Sequence, residues 1–140
     1  MKAIHFICRK EGFTFRNMSI GNKIDPRHSF EIVAGEAVSG YWDVAESDAA
    51  ELIGGLLFLH SSKADKASFI GKITDYQPVV IEDKGHSDRI AFKVKIINSK
   101  GYDIPWSSEG ATHALAHSSG VVPMSLNDKT TQLIEEAIKL

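Results

Sequence analysis

Leu56-Leu57-Phe58-Leu59-His60-Ser61, Phe69-Ile70-Gly71-Lys72-Ile73-Thr74-Asp75-Tyr76 and Arg89-Ile90-Ala91-Phe92-Lys93-Val94-Lys95-Ile96-Ile97 follow one another in the middle of the chain, and their reading decides the fold. The third run alternates. Ile90, Phe92, Val94 and Ile96 fall on one side, and Arg89, Lys93 and Lys95 on the other with Ala91 between them. A period of two marks a strand with one face on a core. Polar stretches, 62–67 and 82–88, separate the runs and are short enough for direct antiparallel returns. The three runs predict an antiparallel meander.

Upstream of it, Asp43 to Leu52 carries a helix signature. Ser47 can cap it, Asp48 and Glu51 suit its first turn, Ala49, Ala50 and Leu52 give an apolar side, and Gly54 stops it. Ser29 to Ala34 and Ile4 to Arg9 read as short strands. Between them, Lys10 to His28 fits neither period. Downstream, Ser108 to His117 predicts a short helix. Ser125-Leu126-Asn127-Asp128 opens a better one, whose Leu133, Ile134, Ala137 and Ile138 share a face to the end of the chain. The expectation is a single α+β domain over residues 1–140: a curved antiparallel sheet or partial barrel with short peripheral helices and a C-terminal helix.

With 140 residues, 43% of them hydrophobic and 24% charged, the composition is that of one soluble globular domain. Sixteen Lys and Arg against eighteen Asp and Glu leave a formal charge of −2. The chain therefore lacks the general basic excess of strong sequence-independent nucleic-acid binders. A lone cysteine, Cys8, excludes a disulfide scaffold and a cysteine-rich zinc site, and a reducing cytoplasm is the expected location. The most apolar stretch, Ile53 to Leu59, is far shorter than the roughly 20 residues of a membrane span, and the opening residues do not read as a signal peptide. No membrane partner is expected. Gly-X-Ser-X-Gly, P-loop and dinucleotide fingerprints are missing from the sequence, so enzymatic chemistry has little support in it and no cofactor is expected.

Gly54-Gly55-Leu56-Leu57-Phe58-Leu59-His60-Ser61, a polar turn, and Ser68-Phe69-Ile70-Gly71-Lys72-Ile73 together resemble the EVE domains of the PUA-like superfamily. The shared pattern is a glycine, an apolar strand ending in aromatic-X-His-Ser, a loop, and a second strand with an internal glycine. Phe58, His60 and Ser61 match the strand end, and Gly71 the glycine. The resemblance implies a PUA-like pseudo-barrel, and recognition of RNA or of DNA carrying a modified base. Domains of this kind read one extruded base in a pocket walled by aromatic rings.

Trp42 and Trp106 stand in Gly- or Ser-containing contexts that predict loops, where either ring can stack on a base; the alternative for each is a core anchor. His60 and Ser61 end a strand and can hydrogen-bond a base edge, or else simply close a turn. Lys72, Arg89, Lys93 and Lys95 form a basic strip suited to phosphates, or an ordinary solvated face. His113 and His117 are four apart, which on a helix makes half of a metal site. The sequence thus predicts a non-enzymatic base-binding domain. Two alternatives stand beside it: a small regulatory module for a protein partner, and a metal-dependent hydrolase built on His113 and His117.

Overall fold

The computed structural model describes residues 2–8, 10–11, 14–15, 18–20, 34–81, 86–97, 103–111, 118–123 and 136. In chain order the elements are β1 (Lys2–Ile7), β2 (Lys10–Glu11), β3 (Thr14–Phe15), β4 (Met18–Ile20), β5 (Glu36–Trp42), α1 (Glu46–Glu51), β6 (Leu56–His60), β7 (Phe69–Ile81), β8 (His86–Ile97) and β9 (Val122–Pro123). The described residues are mostly strand, with α1 as the one short helix among them, so the fold is mainly β, which corrects the expected α+β class. The helix predicted over 43–52 shortens to the six residues of α1. Its N-cap is Ala45, which has no side chain to hold the first turn, and Gly54, at φ 84°, follows soon after its end. Residues 108–111 form a turn at Glu109 and Gly110 in place of a helix, and 112–117 lie outside the described residues. So does the predicted C-terminal helix, Glu136 apart.

Seven strands form one sheet in the order β4-β5-β8-β7-β6-β1-β9, while β2 and β3 pair separately. The meander is present, since β6, β7 and β8 are sequential antiparallel neighbours. Two features depart from expectation. First, β1 lies parallel to β6, with Ala3 opposite Leu56 and Ile7 opposite His60, so the sheet is mixed. Second, among the described residues no pairing joins its edges, β4 and β9, into the expected pseudo-barrel. The strand predicted over 29–34 falls outside the described residues except for Ala34, which lies in a turn.

The parallel pair is covered on both faces. Period two sends Ile4, Phe6, Leu57 and Leu59 into one cluster with Phe69, Ile73, Phe92 and Val94 of the meander and Ala49 and Leu52 of α1. Ala3, Leu56 and Phe58 go the other way, against Ile70, Ile97 and Ile104. Every residue of β6 is therefore buried, which explains why Leu56 to Leu59 read as an unbroken apolar run. Gly55 is needed where β6 begins, because a Cβ there would collide with the Lys2 carbonyl oxygen of β1. Gly71 is needed one strand further on, where a Cβ would lie 2.7 Å from Cβ of Val94. The glycine that carries the family resemblance thus has a packing cause.

Candidate functional site

β1 and β6 point His5 and His60 to the same face of the sheet. Their register sets His5 opposite Phe58, leaving His60 as a diagonal neighbour. The His5 ring stacks on Phe58 at 4.7 Å between centroids, and its Nδ1 lies 2.7 Å from Nε2 of His60. Both imidazoles are buried. On its far side, His60 Nδ1 is 2.9 Å from the carbonyl oxygen of Asp65, in the turn that follows β6. A carbonyl only accepts, so His60 carries a proton on Nδ1, and its neutral ring accepts from His5 through Nε2. His5 then donates from Nδ1 and keeps its own lone pair on Nε2. One backbone carbonyl sets the tautomers of two residues 55 positions apart.

Burial disfavours the charged form of each ring. His5 is pushed down to about 3, by desolvation and then by the neighbouring His60. His60 is also lowered by desolvation, partly offset by its bond to the Asp65 carbonyl and by the Asp65 charge. Both are neutral at ordinary pH. Backbone contacts hold the pair: the His5 N–H donates to Ser119 Oγ and its carbonyl accepts from the Ser119 N–H, each at 2.9 Å, and the Cys8 N–H donates to the His60 carbonyl at 2.8 Å.

Trp106 lies against these two imidazoles. Its ring meets His60 edge-on at 5.4 Å and 74°, and His5 at 5.8 Å. The ring is partly exposed, and Lys63 Nζ stands 5.6 Å from its centroid. Among the described residues its indole N–H has no hydrogen-bond partner. The segment bearing Trp106 is tied to the same turn, since the Ala67 N–H donates to the Ile104 carbonyl at 2.8 Å and Lys66 faces Asp103 at 3.9 Å. Trp106, His60, His5, Phe58 and Lys63 form one cluster: an aromatic ring at the surface, imidazoles beneath it, and a cation beside it.

The other candidates fall elsewhere. Trp42 closes β5 and is not in a loop; it stacks on Phe6 at 4.0 Å and 7°, donates its N–H to Ser39 Oγ at 3.1 Å, and packs on the opposite cluster. His60 is 0% exposed, so it supports the Trp106 ring from below and presents no edge to solvent. Ser61, next along, is exposed. Lys72 stands opposite both Leu56 and Lys95, which puts the two lysines on the His60 face, and among the described residues neither has an ion-pair partner. Arg89 faces Asp43 at 3.9 Å and Lys93 faces Glu36 at 3.6 Å, so half of the basic strip is matched by acid. His113 and His117 lie outside the described residues. Among the described residues no three metal-ligating side chains gather.

A cleft of about 240 Å³ opens on the Ile4 side, beside α1, lined by Asp43, Val44, Asp48, Ser118 and Val121 among others. Its two acidic residues and lack of an aromatic wall suit neither a phosphate nor a base. Two members of the Trp106 cluster, His5 and Lys63, escape the sequence reading. His5 is legible only as a polar residue inside an apolar strand, and its contact with His60 depends on a parallel register that no local pattern announces. No family profile, curated protein or solved structure matches the chain. Among the described residues no helix is long and apolar enough to cross a membrane.

Proposed function

We propose that the chain is a non-enzymatic binding domain that captures an unpaired nucleic-acid base, in RNA or in DNA carrying a modified base, against the exposed side of Trp106. The observation that carries this reading is a partly exposed indole seated on two buried, neutral imidazoles with a lysine at its side. Stacking one base on such a ring contributes about 1–3 kcal/mol. The indole N–H, which has no partner among the described residues, and the Ser61 hydroxyl add polar contacts to a base edge. Lys63 is placed for the adjoining phosphate, and Lys72 and Lys95 extend the positive charge along the same face of the sheet. The turn that supplies Lys63 joins the two strands on which the resemblance to EVE domains rests.

Fluorescence anisotropy against labelled oligonucleotides tests the reading: single- and double-stranded RNA and DNA, with and without methylated or hydroxymethylated cytosine, at two salt concentrations. Selective binding to one class should survive the higher salt, because stacking releases no counterions, and should weaken about tenfold or more in Trp106→Ala. Uniform weak binding that disappears with salt, or no binding, would overturn the reading and turn attention to a protein partner.

A further inference from the structure

The geometry points to a device beyond base capture: the His5–His60 pair is an acid-sensitive latch that, on taking up protons, frees His60 and the turn 61–66 from β1 and loosens the seat of Trp106. This inference does not rest on nucleic-acid binding. It follows from counting hydrogens between two rings whose facing nitrogens are 2.7 Å apart, a gap that holds one proton.

In the neutral pair every ring nitrogen but one is engaged in the chain from the Asp65 carbonyl through His60 to His5. The first added proton can go only to that remaining nitrogen, His5 Nε2. The chain of bonds survives, but a cation now sits on a buried ring stacked against Phe58. A second proton can go only to His60 Nε2, where it faces the His5 Nδ1–H. Two donors then meet at hydrogen-bond distance and the pair must part. Burial lowers the proton affinity of both rings, so the latch stays closed near neutrality and is strained only under acid.

The parts around the pair decide which ring moves. His5 lies inside β1, with β6 on one side and Ser119 on the other. His60 is the last residue of β6 and leads directly into an exposed turn, so it can swing to water with the least loss of pairing. The charged groups that face the pair from the elements packed against it are Lys63, Asp65 and Lys66 in that turn, Asp103 and Glu109 in the segment carrying Trp106, and Lys72 of β7, which lies on the same face opposite Leu56. Of these, the Asp65 charge favours protonated His60, and its carboxylate is already held by Ser62 Oγ at 2.9 Å. No charged residue lies in 118–121 on the other flank. Opening of the turn reaches Trp106 through the Ala67–Ile104 hydrogen bond and the Lys66–Asp103 pair.

Indole N–H signals in nitrogen-15 NMR spectra of the unaltered protein, recorded from about pH 7 down to about pH 2.5 so that the range spans the lowered His5, test the latch, with Trp106→Phe used to assign them. The expected result is a shift or broadening of the Trp106 indole and of the amides of 61–67 that is small near the ordinary imidazole value, about 6.5, and grows as pH falls toward about 3, where His5 takes up its proton. The Trp42 indole and the far-ultraviolet circular dichroism should stay unchanged. In His60→Gln, which can still donate to the Asp65 carbonyl and accept from His5, the Trp106 shift should shrink to half or less. Should that variant not fold, the spectra of the unaltered protein decide alone. Two results would overturn the proposal: a Trp106 signal that stays fixed throughout, or signals of both tryptophans lost together with the circular dichroism in one transition.

Discussion

The two faces of the β1–β6 pair each seat a tryptophan, and they do so by opposite physics. On one face Trp42 lies flat on Phe6, satisfies its N–H on Ser39, and joins an apolar cluster that continues through Phe92 and Val94 to α1. On the other, Trp106 rests on a pair of imidazoles, has no partner for its N–H among the described residues, and has a lysine beside it. A ring whose every group is matched internally serves stability. A ring held in place but left with an unmatched face and donor is equipped to meet something else. The comparison teaches that the partners of an aromatic residue, more than its neighbours in sequence, tell its role.

Breaking the apolar face should have the largest effect. Phe6 is 0% exposed, and Phe6→Ala should cost about 3–5 kcal/mol in chemical denaturation, with Trp42→Ala costing somewhat less because its ring is partly exposed. The polar face should reveal itself through pH. Both imidazoles have proton affinities lowered in the folded state, so the unfolded chain binds more protons. Stability should therefore be complete above about pH 6.5 and fall as pH drops toward about 3, by up to roughly 1.4 kcal/mol per pH unit for each proton taken up. Denaturation midpoints measured across that window check the slope, and a flat profile in His5→Phe/His60→Leu would assign it to the pair.

Smaller effects sharpen the contrast. Gly71→Ala places a methyl against Val94 in the apolar cluster and should cost about 1–3 kcal/mol. Lys93→Ala removes a partly buried ion pair with Glu36 and should change stability by about 1 kcal/mol or less. An equally small change in oligonucleotide affinity would agree with its charge being already matched.

Much of the apolar framework is legible in the sequence, and the site far less so. The runs 56–61, 69–76 and 89–97 announce strands because their periodicity is local. β5 is missed for a physical reason: Ala37, Ser39 and Gly40 are small, and Gly40 is a close approach in which an added Cβ would lie 3.0 Å from that of Ala91. Small residues that let strands pack tightly look like a loop when read alone, and this is also why Trp42 reads as a loop residue. The α+β expectation gives helical weight to capping patterns, yet among the described residues before Glu136 these yield one short helix, α1. His60 is recognisable as a polar strand end, while its partner His5 and the tautomers they share depend on a parallel pairing across 55 residues. Contacts of that kind have no signature within a window of sequence.

The claim on which the rest depends is that the two tryptophans have separate duties, and one paired measurement tests it: oligonucleotide anisotropy and chemical denaturation on Trp106→Ala and Trp42→Ala side by side. The prediction is that Trp106→Ala loses about tenfold or more in affinity while its stability changes by about 1 kcal/mol, and that Trp42→Ala loses stability while the fraction still folded binds normally. Unchanged affinity in Trp106→Ala, or a stability loss there as large as in Trp42→Ala, would contradict it.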